Sequence, residues 1–304
     1  MSSGHSHADS AGMRSRKPLL ITLLLGITVL VVQLVGAIWS GSLALLADTV
    51  HVFADVFGVG LALLAITVAA RPTIQRRTFG LFRLEILASV VQCLLLLGLS
   101  VYILIEAYGR WLNPEQIDAP IMIAAASYGF LANLAGVLLL RRGSSESLTV
   151  RGAYLEVMSD AIGSFGVIIA GIVVLVTDWT RIDSLVSLGI AAFIVPRTLL
   201  LLRDSLSVLM ENAPHGLDLN EVRRHMMEVE GVIEVHDLHA WTITSGMASL
   251  SAHVTVAPDP YANGSGALIL EALDVCLHDC FEIGHTTFQL EPEGHSEAKE
   301  SQHP

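Results

Sequence analysis

The stretch Ser42–Asp55, SLALLADTVHVFAD, is apolar enough to lie in a bilayer, yet it carries His51 and Asp55 four residues apart. A second such pair, Glu156 and Asp160, stands in VRGAYLEVMSDAIGSFGVI, Val150–Ile168. On a helix, side chains at i and i+4 leave one face about one turn apart. Ionisable groups at bilayer depth are costly and mark paths for ions or protons. Two pairs on two helices supply four ligands, the number a tetrahedral divalent ion takes. Interhelical hydrogen bonding is the plainer explanation, but serine, threonine or asparagine would serve that purpose at much lower cost.

The rest of the chain has the composition such a reading requires. Of 304 residues 53% are hydrophobic and only 15% charged, where a soluble domain carries about 25%; mean hydropathy is +0.62. Six segments approach the ~20 apolar residues a span needs: 18–39, 44–69, 84–108, 119–140, 153–176 and 184–203. Arginine and lysine gather in alternate loops, at Arg14, Arg16 and Lys17, at Arg71, Arg76, Arg77 and Arg83, and at Arg141, Arg142 and Arg151. The positive-inside rule puts those loops, and so both termini, in the cytoplasm. Asp48, His51 and Asp55 share one stripe of the second span, since offsets of 3, 4 and 7 fall on one helical face. Asp48 is expected to support the ion site.

Charge changes sign of emphasis near residue 210. Up to there 14 Lys+Arg face 13 Asp+Glu; beyond it 3 face 16, and nine of the 12 histidines lie there. An acidic segment of this kind excludes nucleic acid as a partner, which wants a basic surface. Periodicity predicts a helix over Leu219–Val229, strands over Ile233–Thr244 and Ser249–Ala257 joined at Ser245-Gly246, a helix over Ala267–Phe281 and a strand over Thr286–Glu291. This α+β unit is too small for a catalytic domain with its own deep cleft, so no enzyme is expected. Cys93, Cys276 and Cys280 make no disulfide framework, and the i, i+4 pair Cys276 and Cys280 reads as reduced thiols in a packed helix. The expected organisation is a cytoplasmic N-terminal tail at 1–17, a six-helix transmembrane bundle at 18–205, a cytoplasmic α+β domain at 206–293 and a disordered tail at 294–304.

In combination these features resemble the cation diffusion facilitator family of zinc-type metal/proton antiporters. SLALLADTVHVFAD resembles its second-span signature, with His51 and Asp55 at the ligand positions. RTFGLFRLEILA (Arg77–Ala88), Asn133 and Val150–Ile168 fit the third to fifth spans, and VHDLHAW (Val235–Trp241), LSAHV (Leu250–Val254) and FQLEPE (Phe288–Glu293) fit the cytoplasmic domain. The resemblance implies a homodimer with a ferredoxin-like cytoplasmic domain, exporting Zn²⁺ in exchange for protons without an organic cofactor. Within the bilayer the implied ligands are His51, Asp55, Glu156 and Asp160. His236 and His253 match zinc-binding positions of the cytoplasmic domain, His285 lies near a third, and Glu291 is a candidate carboxylate partner. Metal there would clamp paired cytoplasmic domains and bias the transporter's conformation.

Glu156 departs from the family pattern, which has histidine there. One imidazole and three carboxylates make a harder site, more open to Mn²⁺, Fe²⁺ or Co²⁺. Efflux of those ions, and a non-transporting membrane metal sensor, are the alternatives to zinc export. An intramembrane hydrolase would bring a His-Glu-x-x-His type motif, and four strong ligands would make a poor channel. The compact, loop-poor chain suggests a bacterial inner membrane.

Overall fold

The computed structural model describes residues 7–69, 81–141, 148–244, 246–257, 264 and 266–294. The expected disordered tail beyond Gly294 and the Ser245 half of the predicted turn therefore fall outside the described residues. Six long helices come first: α1 (His7–Ser40), α2 (Leu43–Ala69), α3 (Arg83–Leu112), α4 (Ala119–Leu140), α5 (Leu148–Thr177) and α6 (Arg181–Leu209). Each holds a segment long and apolar enough to cross a membrane. Their outward residues, among them Leu24, Ile38, Ile105, Leu139, Ile162 and Phe193, are large, apolar and exposed. Such a surface is stable only against lipid. The helix starting at His7 runs further back than the apolar segment that begins at residue 18.

Within the bundle α4 packs most extensively on α5, and α1 on α2 and α4, while α2 also meets α5. Close approach depends on missing side chains. A Cβ built at Gly36 of α1 would collide with Ala125 of α4, and one at Gly171 of α5 with Ile123 of α4. Small residues at such crossings let membrane helices meet at backbone distance, where van der Waals packing replaces the absent hydrophobic drive. Helix ends carry their own signals. Asp118 accepts a hydrogen bond from the Ile121 amide at 3.2 Å with Pro120 in the first turn of α4, and Asp178, at φ +54°, closes α5.

The second unit follows α6 as α7 (Leu219–Met227), β1 (Val232–Thr244), β2 (Met247–Val256), α8 (Gly266–Phe281) and β3 (His285–Pro292). The sheet order is β1-β2-β3, with β1 antiparallel and β3 parallel to β2. A parallel neighbour needs a crossover, and α8 provides it. Val222 and Met226 of α7, Ile269, Leu273 and Leu277 of α8, and Leu250, Ala252 and Val254 of β2 form one apolar cluster. Alternation along β2 therefore sends Ser251 and His253 to the face away from the helices. This is a two-layer α+β fold with helices on one side of the sheet, as the family resemblance implies. Residues 82–86 group with this unit, where Arg83 pairs with Glu211 at 2.6 Å and Thr244 donates to Glu85 at 2.8 Å.

Candidate functional site

Two groups of metal-ligand side chains assemble among the described residues, one in each unit. In the bundle, ligand atoms of His51, Asp55 and Asp160 all lie within 4.8 Å of one another. His51 and Asp55 leave one face of α2 a turn apart, and Asp160 comes from α5, which packs against it. His51 Nε2 and Asp160 Oδ1 are 2.9 Å apart. Both atoms are buried, and neither makes a well-aligned hydrogen bond among the described residues. Buried polar atoms normally have such partners, and a cation held between these two would supply one. Glu156 lies one turn before Asp160 on α5; its side chain lies outside the described residues.

Asp48 sits apart from that group. Its Oδ2 accepts hydrogen bonds from Gln33 Nε2 of α1 and Ser164 Oγ of α5, each at 2.8 Å. All three side chains are buried. Asp48 thus ties α1, α2 and α5 together, one turn before His51 on α2. Gln33 and Ser164 were not picked out by sequence reasoning, although Gln33 is a lone amide in an apolar run and Ser164 follows Asp160 by four residues.

The second group is on the open face of the sheet. His236 and His253 stand opposite each other across β1 and β2, with ring centroids 5.4 Å apart. Glu291 of β3 places Oε2 3.3 Å from His236 Nε2 and Oε1 3.0 Å from His253 Nδ1. Ligand atoms of these three also lie within 4.8 Å of one another. Glu291 is 1% exposed, although its carboxylate is among the side chains least often buried without a partner charge. A β-bulge shapes the edge of this site: the pairing jumps from His236↔His253 to His239↔Ser251, and Asp237 takes φ +49°. That turn brings Asp237 Oδ2 to 3.7 Å from His253 Nε2 and Oδ1 to 2.9 Å from His239.

His285 is not brought into this group. Parallel pairing sets it opposite Ser249 and sets Gln289 opposite His253, so His285 is four residues down the strand, about 13 Å at 3.3 Å per residue. Gln289 is the β3 residue beside His253, and its Nε2 donates to Glu291 Oε1 at 2.5 Å. Cys276 and Cys280 lie on α8 as free thiols. Burial, and then the neighbouring Cys280, push the Cys276 thiol up, away from the thiolate that metal binding and redox chemistry need.

Comparison with known proteins agrees with both halves. The family description "Cation efflux transmembrane domain" matches residues 19–210, and "Cation efflux protein, cytoplasmic domain" matches residues 214–293. The metal cation efflux system protein CzcD of Cupriavidus metallidurans is 41% identical, over 100% of this chain and 94% of its own length. The cadmium, cobalt and zinc/H(+)-K(+) antiporter of Bacillus subtilis is 33% identical over 96% of this chain and 93% of its length. Zinc transporter ZitB of Shigella flexneri is 36% identical with the same coverages. With its six spans, its trailing α+β domain and matches along almost its whole length, the chain belongs to the cation diffusion facilitator family of metal-efflux membrane transporters.

Proposed function

We propose that the protein exports Zn²⁺ from the cytoplasm in exchange for protons, with His51, Asp55, Glu156 and Asp160 holding the ion in transit. The observation that carries this reading is the convergence of His51, Asp55 and Asp160 within 4.8 Å inside apolar helices. Glu156, one turn from Asp160, is the fourth ligand by its position on α5. Zinc appears in the names of two of the relatives above, manganese and iron in neither, and cobalt only beside zinc in one; this supports zinc as a cargo ahead of manganese and iron and transport ahead of a non-transporting sensor. Ligands must be deprotonated to bind, so metal and proton compete for the same atoms, and imidazole, with an ordinary pKa of about 6.5, exchanges readily between compartments of different pH.

On this reading residues 18–205 form the transport domain and 206–293 a regulatory domain. The lipid bilayer of a bacterial inner membrane is its setting, both termini face the cytoplasm, and the working form is a homodimer. The cytoplasmic domain reads zinc through His236, His253 and Glu291, an imidazole-rich donor set suited to that ion. His285→Ala is expected to leave the zinc affinity of this domain within about twofold, as for a surface change of ±0.5 kcal/mol, whereas His253→Ala abolishes it; calorimetric titration checks both.

Antiport is tested in everted vesicles or proteoliposomes loaded with a zinc-sensitive dye. Zinc export is expected to accelerate as the receiving side is acidified at constant zinc, and to collapse when a protonophore removes the gradient. Flux indifferent to the gradient would refute proton exchange while leaving transport itself intact.

A further inference from the structure

We propose that Asp183 is a latch that holds the transport site shut toward the face of the membrane where α6 begins. Asp183 is a charged-type side chain only 1% exposed and takes no part in either ligand group. Its carboxylate reaches from the first turn of α6 to the first turn of α2, some 140 residues earlier in the chain. Oδ1 accepts from Ser42 Oγ at 2.6 Å and from the Ala44 amide at 3.2 Å, and Oδ2 accepts from the Leu43 amide at 2.7 Å. Ser42 Oγ in turn accepts from the Leu45 amide at 3.0 Å. The amides at a helix start lack partners within the helix and carry its positive dipole end. Here they are completed by a carboxylate from another helix, not by α2 alone.

Neighbouring bonds tie the same end. Arg110 of α3 donates to the Gly41 carbonyl and the Asp118 amide donates to the Ser40 carbonyl. Burial along α2 follows this fastening. Leu43, Ala44, Leu45, Ala47, Asp48, Thr49, Val50, Val52 and Ala54 are buried, with Leu46, His51 and Phe53 half-buried among them, and every described residue from Asp55 to Leu61 is half-buried. The ligand pair thus lies at the end of the sealed half of the helix, with Asp55 the first residue of the looser half. Given the reading that metal passes His51, Asp55 and Asp160, release at the sealed end requires the start of α2 to leave α6. Asp183 holds most of the polar bonds that this movement breaks, so it sets the balance between the two access states. It is a positioning residue and does not touch the ion.

The test uses full-length protein in proteoliposomes, with Cys93, Cys276 and Cys280 replaced by alanine and a reporter introduced by Ala47→Cys. Ala47 is fully buried and shares an apolar cluster with Leu43 of α2 and Ala191 of α6, so it becomes reachable only if these helices part. A membrane-impermeant maleimide is applied from the side where α6 begins. Asp183→Asn is expected to raise the labelling rate about tenfold, the change in population that follows loss of one charge-assisted hydrogen bond. Ser42→Ala is expected to raise it less. Ser187→Ala removes a bond internal to α6, Ser187 Oγ to the Asp183 carbonyl, and is expected to leave it unchanged. Unaltered labelling in Asp183→Asn, or an equal rise in Ser187→Ala, overturns the latch. If Asp183→Asn is not recovered as monodisperse protein, Ser42→Ala decides alone, and no rise there overturns it. Zinc flux measured in the same vesicles judges the transport reading separately: a parent protein without flux refutes transport, while labelling still decides the latch.

Discussion

Asp160→Ala is expected to reduce zinc export in proteoliposomes by more than about 100-fold. Even partners one step removed from a metal are worth 10–100-fold in affinity or activity, and Asp160 is proposed to touch the ion directly. Its position adds to the effect. His51 and Asp55 both stand on α2, so Asp160 is the described contact that draws α5 to the ion. Without it the remaining ligands can bind weakly but cannot bridge two helices, and ion occupancy loses its grip on helix arrangement. Asp160→Asn should fail nearly as fully, because the amide keeps the shape and loses the anion. Glu115→Ala is the contrasting control. That carboxylate is exposed and pairs with Arg110 at 3.3 Å, a surface arrangement worth about 0–1 kcal/mol, and flux should change less than about fivefold. Retention of a tenth of the parental rate in Asp160→Ala would show that the ion takes another route.

What could be read in advance follows from how local each signal is. Spans announce themselves by length and hydropathy, and paired ligands on one helix by an offset of four, so α2 and α5 and the His51–Asp55 stripe needed no partner to be recognised. Polar residues whose meaning lies in another helix were opaque. Gln33, Ser164 and Asp183 are single polar groups; Asp183, in particular, reads as a charge in the loop before the sixth span. Only packing shows that it caps α2. The sheet makes the same point through register. His236 and His253 pair across a hairpin, where a short turn keeps the register local. β3 arrives by way of the α8 crossover, and nothing in its own sequence says that Gln289, not His285, meets His253. The bulge at Asp237 is likewise a property of two strands together.

Glu291→Gln is expected to remove most of the stabilisation of the cytoplasmic domain by zinc. Glu291 is the buried carboxylate between two imidazoles, and both its oxygens face them, so bound zinc would trade these two contacts for direct ligation by all three groups. A ligand at 100 times its Kd stabilises the folded form by about 2.7 kcal/mol. For a domain of this size that is a rise in Tm of about 10 °C or more. The amide removes the carboxylate's charge from the donor set, and a Kd weakened about 100-fold cuts the gain to about 0.4 kcal/mol at the same zinc concentration. Trp241 lies in β1, so fluorescence melting of full-length protein with Trp39, Trp111 and Trp179 replaced by phenylalanine reports this domain. Performing it in an Asp160→Ala background removes the contribution of the membrane site. If zinc still raises the Trp241 melting temperature by several degrees in Glu291→Gln, the ion is held elsewhere. If it does so in neither protein, the histidine pair is only a structural feature of the sheet. A rise confined to the parent would identify the buried carboxylate as the group that makes two facing histidines a zinc site.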